Sequence, residues 1–216
     1  MRRDLISSVI AIVVLTLLLG LAYPLVVTGV SQVAFPGNSN GQKITVDGKL
    51  VGSKVIAQDF RVPVLDANGK PKMDKDGNPI LTPDKRYFQP RPSTLTNYNA
   101  AASAFTNLGP NSTDARDTFK ASLDSYLQLE KPYNAGLGAK QVPVDAVTSS
   151  ASGVDPDISK ANAEIQAHRI ASVRSLPLAA VQKLIDQNTD GRSFGFLGES
   201  GVNVLKLNLA LDRQSS

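Results

Sequence analysis

The sequence of 216 residues contains no cysteine. That removes disulfides, thiolate metal ligands, cysteine nucleophiles and a lipid-modified cysteine anchor together. Histidine occurs once, at His168, and glutamate only at Glu130, Glu164 and Glu199. A zinc site then lacks ligands. A glutamate acid–base pair would have to be assembled from distant segments. Neither Gly-x-x-x-x-Gly-Lys-Ser/Thr nor Gly-x-Ser-x-Gly is present, which excludes a P-loop and a hydrolase nucleophile elbow. Charge is missing as well, over the whole interval between Asp4 and Lys43.

That uncharged interval holds the dominant feature, the apolar run Leu5–Val33. As a helix its 29 residues measure about 43 Å, against a bilayer core of about 30 Å. Only a helix satisfies its own backbone in lipid, so the run is predicted to be a membrane-spanning helix. Arg2 and Arg3 precede it and the next cations are Lys43 and Lys49. The basic flank stays cytoplasmic, which puts the rest of the chain outside. A cleaved signal peptide would end at Gly20-Leu21-Ala22, but apolar character continues through Leu25, Val26, Val27, Val30 and Val33. That is longer than a signal core, so the helix is expected to be retained. It carries no charge and hence no proton or ion relay.

The expected organisation is an anchor over 1–35 and one extracytoplasmic α+β domain over 36–216. Net charge is +4, of which Arg2, Arg3 and Asp4 contribute +1. The remainder is mildly basic with no basic run, so nucleic acid is not an expected partner. Nor does such a domain concentrate cations by its bulk field.

After the turn-rich exit Phe35–Gly41, Asp47-Gly48 predicts a type I′ hairpin between Ile44–Val46 and Lys49–Ile56. Asp66-Ala67-Asn68-Gly69-Lys70-Pro71 recurs as Asp74-Lys75-Asp76-Gly77-Asn78-Pro79, and two such turns suggest an exposed flap over 61–86. A calcium loop does not fit, since Asp74 and Asp76 at its third and fifth places put Lys72 first and Pro83 twelfth. Tyr87–Ser93 is extended around Pro90 and Pro92. A helix is predicted from Asn111 with Ser112 or Thr113 as cap, ending at Lys131-Pro132. A second opens at Asp155-Pro156 or at Ser159 and runs to about Ser175. A third starts at Pro177 and stops before Gly191. Residues 202–212 alternate like a strand, but the phase slips between Val204 and Leu205; a bulge or a short helix would each explain it.

The densest polar stretch is Asp145–Ser159. Ser149, Ser150, Ser152 and Gly153 precede a helix start, where free amides favour an anion, so these four are the candidate ligand residues; turns and caps are the plainer reading.

Taken together, several segments resemble the C-subunit family of the Kdp potassium-transporting P-type ATPase. They are Tyr23-Pro24 with Thr28-Gly29, Asp47–Ser53, Gln58 and Phe60, Tyr87-Phe88 with Arg91-Pro92-Ser93, Tyr98-Asn99, Asn107–Pro110, Pro143–Ser159, Gln166 and Arg169, and Val202–Asp212. These run in order over nearly the whole chain. Most of 61–86 is an insertion relative to similar proteins, Lys160 replaces a common proline, and Gln42 stands where serine is usual. The resemblance implies an accessory subunit whose partners are a channel-like potassium-binding subunit, an ATP-hydrolysing P-type subunit and a small single-span peptide. ATP and potassium would then be bound by the complex. The chain has no Asp-Lys-Thr-Gly-Thr phosphorylation motif. The family role is that of an assembly factor and catalytic chaperone that raises the pump subunit's ATP affinity.

Thr16 and Gly20 lie one turn apart with Tyr23 and Pro24 near the same side, a small-residue face suited to packing on another helix. With Arg91, Asn107 and Asn203 they form the expected interface set. Two other functions remain open at this level. One is an anchored hydrolase using Ser152, His168 and a carboxylate. The other is a sensor whose flap binds an external ligand.

Overall fold

An uncharged apolar run must close its hydrogen bonds along itself, and in the computed structural model it does so from Arg2 to Ala34 (helix α1). This structure describes residues 1–95 and 98–214. The 33 residues of α1 have a mean hydropathy of 2.8 in their most apolar window, and none of that window is buried by the rest of the chain. The helix is long and apolar enough to cross a membrane. It is not uniform. Arg2–Leu15 and Tyr23–Ala34 are α-helical, whereas Thr16–Ala22 is π-helical, with Tyr23 N–H reaching Leu18 O five residues back. Pro24 explains this. It has no N–H for the carbonyl of Gly20 and its ring crowds that oxygen, and the wider π register relieves both faults just upstream.

The chain divides into two compact units, Met1–Ser53 and Lys54–Ser216. In the first unit α1 is followed by the single turn α2 (Pro36–Ser39), where Asn40 Nδ2 donates to Gln32 Oε1 at 3.0 Å. Strands β1 (Lys43–Val46) and β2 (Lys49–Ser53) then form the expected hairpin. Asp47 and Gly48 have φ of +50° and +76°, as a type I′ turn requires. A bulge between Ile44 and Thr45 lets Val51 stand outside the register.

The second unit begins with the flap, which is a closed device rather than a loose loop. Strands β3 (Arg61–Pro63) and β4 (Leu81–Pro83) pair antiparallel at its root. Beyond them Val64 N–H donates to Ile80 O, Ile80 N–H to Lys72 O and Lys72 N–H to Val64 O, each at 2.8 Å. The eight-residue spacing thus closes a three-membered ring of backbone bonds. Asp66 and Asp74 each accept two backbone N–H groups of their own turn, from Asn68 and Lys70 and from Asp76 and Asn78.

Helix α3 (Thr113–Glu130) starts where Ser112 Oγ accepts from Ala115 N–H. Helix α4 (Lys160–Arg174) is capped by Ser159 and ends at Ser175 in the left-handed region. Asp155-Pro156 does not start it: Asp157–Ile158 form strand β5, because this edge pairs with β7 (Gly201–Asn203). Helix α5 (Leu178–Gln187) follows Pro177 and buries Val181, Leu184 and Ile185. It ends before Gly191, at Asn188, whose Nδ2 donates to Leu184 O. Strand β6 (Thr189–Asp190) then pairs with the other edge of β7. The phase slip near Val204 is a switch of structure. Strand β7 ends at Asn203 and helix α6 (Val204–Gln214) begins at once, with Asn203 Oδ1 accepting from Lys206 N–H.

The core gathers Ala163, Ala167, Ile170 and Ala171 of α4, the α5 stripe, Val202, and Val204, Leu207 and Leu211 of α6 around Phe88. Ala161 faces outward. Phe88 is fully buried on a segment that has no strand beside it among the described residues. Buried amides take the strand's place. Asn208 accepts from Phe88 N–H at 2.9 Å and donates to Phe88 O at 3.0 Å. Gln166 does the same for Gln89, at 2.8 and 3.1 Å. Arg169 Nη1 donates to Lys85 O and Tyr87 O, and its Nε pairs with Glu130 Oε1 at 2.9 Å; both side chains are wholly buried.

Removing one partner of such a pair strands the other charge, so Arg169→Ala should lower the unfolding free energy by about 3–5 kcal/mol in urea denaturation followed by circular dichroism. A loss within the range of surface substitutions would refute the pairing. Burial holds the Glu130 carboxyl above the usual carboxylate range, with Arg169 opposing, and its Oε2 accepts no hydrogen bond from the described residues. A raised folded pKa means stabilisation that is complete below the unfolded value of about 4.3 and is lost as pH rises through the folded one. Glu130→Gln should therefore flatten that descent when stability is measured against pH. An unchanged slope would contradict it.

Candidate functional site

The serine-rich stretch is built around its own backbone. After a single turn of helix over Val144–Ala146, Thr148 Oγ1 donates back to Val144 O at 2.8 Å. Ser150 is buried, and its Oγ accepts Gly153 N–H at 2.9 Å and Asp155 N–H at 3.4 Å. Ser152 Oγ accepts Val154 N–H at 3.2 Å and shares a 3.3 Å contact with Ser150 Oγ. Arg91 lies across the loop. It pairs with Asp155 at 3.0 Å and donates to the carbonyls of Ser149 and Thr148. Ser93 Oγ donates to Gly153 O at 2.6 Å. The Ser150 and Ser152 hydroxyls therefore serve as turn acceptors.

The amides that were expected to attract an anion belong to α4, and a carboxylate of the same chain already sits there. Asp145 accepts from Ser159 N–H at 2.8 Å, Ser159 Oγ at 2.7 Å and Asn162 Nδ2 at 3.0 Å. A helix start favours a negative charge, and Asp145 supplies it. No spacing rule pointed to Asp145, which lies fourteen residues before Ser159 in sequence.

Gly153 is held at φ +74°, and a Cβ there would come within 2.8 Å of Ala104 O and 3.2 Å of Leu95. Ala104 N–H and Ser103 Oγ both donate to Ser152 O, and Thr94 Oγ1 donates to Ala104 O. The loop thus fastens the chain on either side of Tyr98.

Tyr98 is left-handed at φ +49°, donates its hydroxyl to Arg91 O at 2.7 Å, and lies under the Arg61 guanidinium at 5.7 Å. Burial pushes its pKa up to about 12, so it stays a donor. Arg61 grips Asp59 in a fork at 2.7 and 2.8 Å. Arg61 and Tyr98 line a groove of about 480 Å³ between α3 and the proline segment, with Pro90, Pro92, Ser122 and Tyr126 along its walls. Motif reading missed the groove because its walls come from sequence positions that share no spacing.

His168 is exposed and lines a separate cavity with Tyr133, Asn134, Gly136, Leu137 and Gln141; among the described residues no serine lines it. A Ser152–His168 couple therefore has no geometric basis. The interface candidates divide. Thr16 and Gly20 do share a face, with Thr16 Cγ2 3.9 Å from a Cβ built on Gly20, and Tyr23 and Pro24 are exposed. Asn107 is exposed at φ +51°. Arg91 is half-buried and spends its donors inside the domain. Asn203 is 1% exposed, and its amide bonds Lys54 O and Asp157. It is a strand-to-helix junction, not a surface residue. The same burial lifts the Asp157 carboxyl above its usual range, with Asn203 opposing.

A family profile described as "K+-transporting ATPase, c chain" matches residues 5–213. Relatives bearing the name "Potassium-transporting ATPase KdpC subunit" align over nearly all of the chain. One from Bradyrhizobium diazoefficiens is 42% identical and covers all of both chains. One from Streptomyces coelicolor is 40% identical over 93% of this chain and 88% of its own. One from Mycobacterium tuberculosis is 40% identical over 99% of this chain and all of its own.

Gly153→Ala should cost about 1–3 kcal/mol, because it adds both a left-handed residue and a clash with a backbone oxygen. The expected signature is faster hydrogen exchange at Ala104. Wild-type protection there would show that the loop does not hold the 98–104 chain.

Proposed function

The chain belongs to the family of the K+-transporting ATPase c chain, and from that membership we propose that it is a non-catalytic accessory subunit of an ATP-driven potassium importer. Its α1 helix spans the membrane with Arg2 and Arg3 inside, and the α+β domain lies outside. The partners are a channel-like potassium-binding subunit, an ATP-hydrolysing P-type subunit and a small single-span peptide. ATP and potassium are bound at the level of that complex.

The observation that carries the proposal is the continuity of the family match from residue 5 to residue 213, which takes in the uncharged span together with the outer domain. Hydroxyls turned into caps and an isolated His168 support a role through surfaces rather than through chemistry. The Thr16–Gly20 face, with Tyr23 and Pro24 beside it, is the contact made inside the membrane, where small side chains let helices approach. An outer domain does not reach a cytoplasmic nucleotide. A rise in the pump's ATP affinity then travels as a conformational coupling through the span or the channel-like subunit.

The test is purification of the tagged full chain from its native membrane in mild detergent. A P-type ATPase and a channel-like protein should copurify, and the complex lacking this chain should show a raised KM for ATP. A chain that purifies alone, while the ATPase runs at full stability and unchanged KM without it, would overturn the proposal.

A further inference from the structure

We propose that the turn Ser193–Leu197 is a second membrane contact, which seats Phe194, Phe196 and Leu197 in the interfacial region of the bilayer that α1 crosses.

The turn joins β6 to β7 and displays its apolar side chains to solvent: Phe194 is 89% exposed, Phe196 71% and Leu197 50%. It is ordered by its own backbone. Ser193 and Leu197 exchange both N–H···O bonds at 2.9 Å, and Phe194 and Gly195 sit at φ +53° and +82°. Two successive left-handed residues make a type I′ turn, whose first central place favours Asn, Asp or Gly. A phenylalanine there is locally unfavourable, and local rules are broken where a side chain is needed for something else. Two aromatic rings and a leucine on one turn form an apolar tip that water does not favour. Phe and Leu side chains on a surface-bound element bury into the boundary between headgroups and acyl chains. The stem below carries no net charge to oppose entry, since Arg192 and Glu199 pair across it at 3.1 Å.

A lipid surface, rather than another occupant, is favoured by the root of the turn. Lys54 is the first residue of the second unit. Its Nζ pairs with Asp190 of β6 at 3.3 Å, and its carbonyl accepts from Asn203 of β7 at 2.9 Å. Both strands that carry the turn are therefore fastened to the residue at which the chain arrives from its anchor. Within the first unit the β1–β2 hairpin returns on itself, so that Ser53 Oγ meets Gly41 O at 2.7 Å, only seven residues beyond the end of α1 at Ala34. Covalent connection alone keeps the root of the turn on a short tether from the membrane, at any angle between the two units. A tethered apolar tip meets the bilayer at high effective concentration. The inference rests on α1 spanning a bilayer and needs no partner subunit.

The chain has no tryptophan, so Phe196→Trp is a sole reporter. The full chain carrying it is reconstituted alone into nanodiscs of phosphatidylethanolamine and phosphatidylglycerol, with and without brominated acyl chains. The expected result is blue-shifted emission that loses most of its intensity with brominated lipid, while Val144→Trp, at a site 73% exposed, stays unquenched. Adding Phe194→Ser and Leu197→Ser to the reporter should restore the intensity. Solvent-like, unquenched emission from Phe196→Trp would overturn the proposal, as would equal quenching at both positions. Failure here leaves the copurification test unaffected, because no other subunit is present in the nanodisc.

Discussion

The second unit depends on a constraint set by its own backbone. Phe88 is buried in the core with no strand beside it among the described residues, and buried peptide groups left unpaired are costly. Side chains from two helices close the deficit: Asn208 for Phe88, Gln166 for Gln89, Arg169 for the carbonyls of Lys85 and Tyr87. Helices α3, α4 and α6 are thereby tied to one stretch of chain. Arg169 reaches it only because Glu130 balances the charge inside the core. Phe88 is then held where the alanines of α4 and the leucines of α6 can pack round it.

The same economy governs the surface loops. Polar groups that look reactive in sequence are spent on holding the chain. Ser150 and Ser152 cap a turn, Arg91 spans it, and Asp145 occupies the start of α4. The exposed features are the small-residue face of α1, the groove beside Tyr98 and the aromatic turn before β7.

The flap shows how a sequence repeat becomes structure. An eight-residue period brings Val64, Lys72 and Ile80 into a ring of three backbone bonds, and each aspartate closes its own turn. The flap closes these backbone bonds within itself.

The sequence by itself determined whatever rests on local chemistry. The uncharged run dictated α1, Asp47-Gly48 the hairpin, Ser112 and Ser159 the helix starts, and the Asx-Gly turns the flap. The order of motifs was enough to place the family. Only the tertiary structure decided what depends on groups far apart in the chain. It made Asp157 a strand residue, because β7 lies alongside. It turned the phase slip after Asn203 into a junction of strand and helix, buried that asparagine, and converted the serine loop from a candidate ligand site into a clasp. Local patterns report the backbone's own preferences, whereas the fate of a polar side chain is settled by which distant carbonyl or amide the fold brings within 3 Å of it.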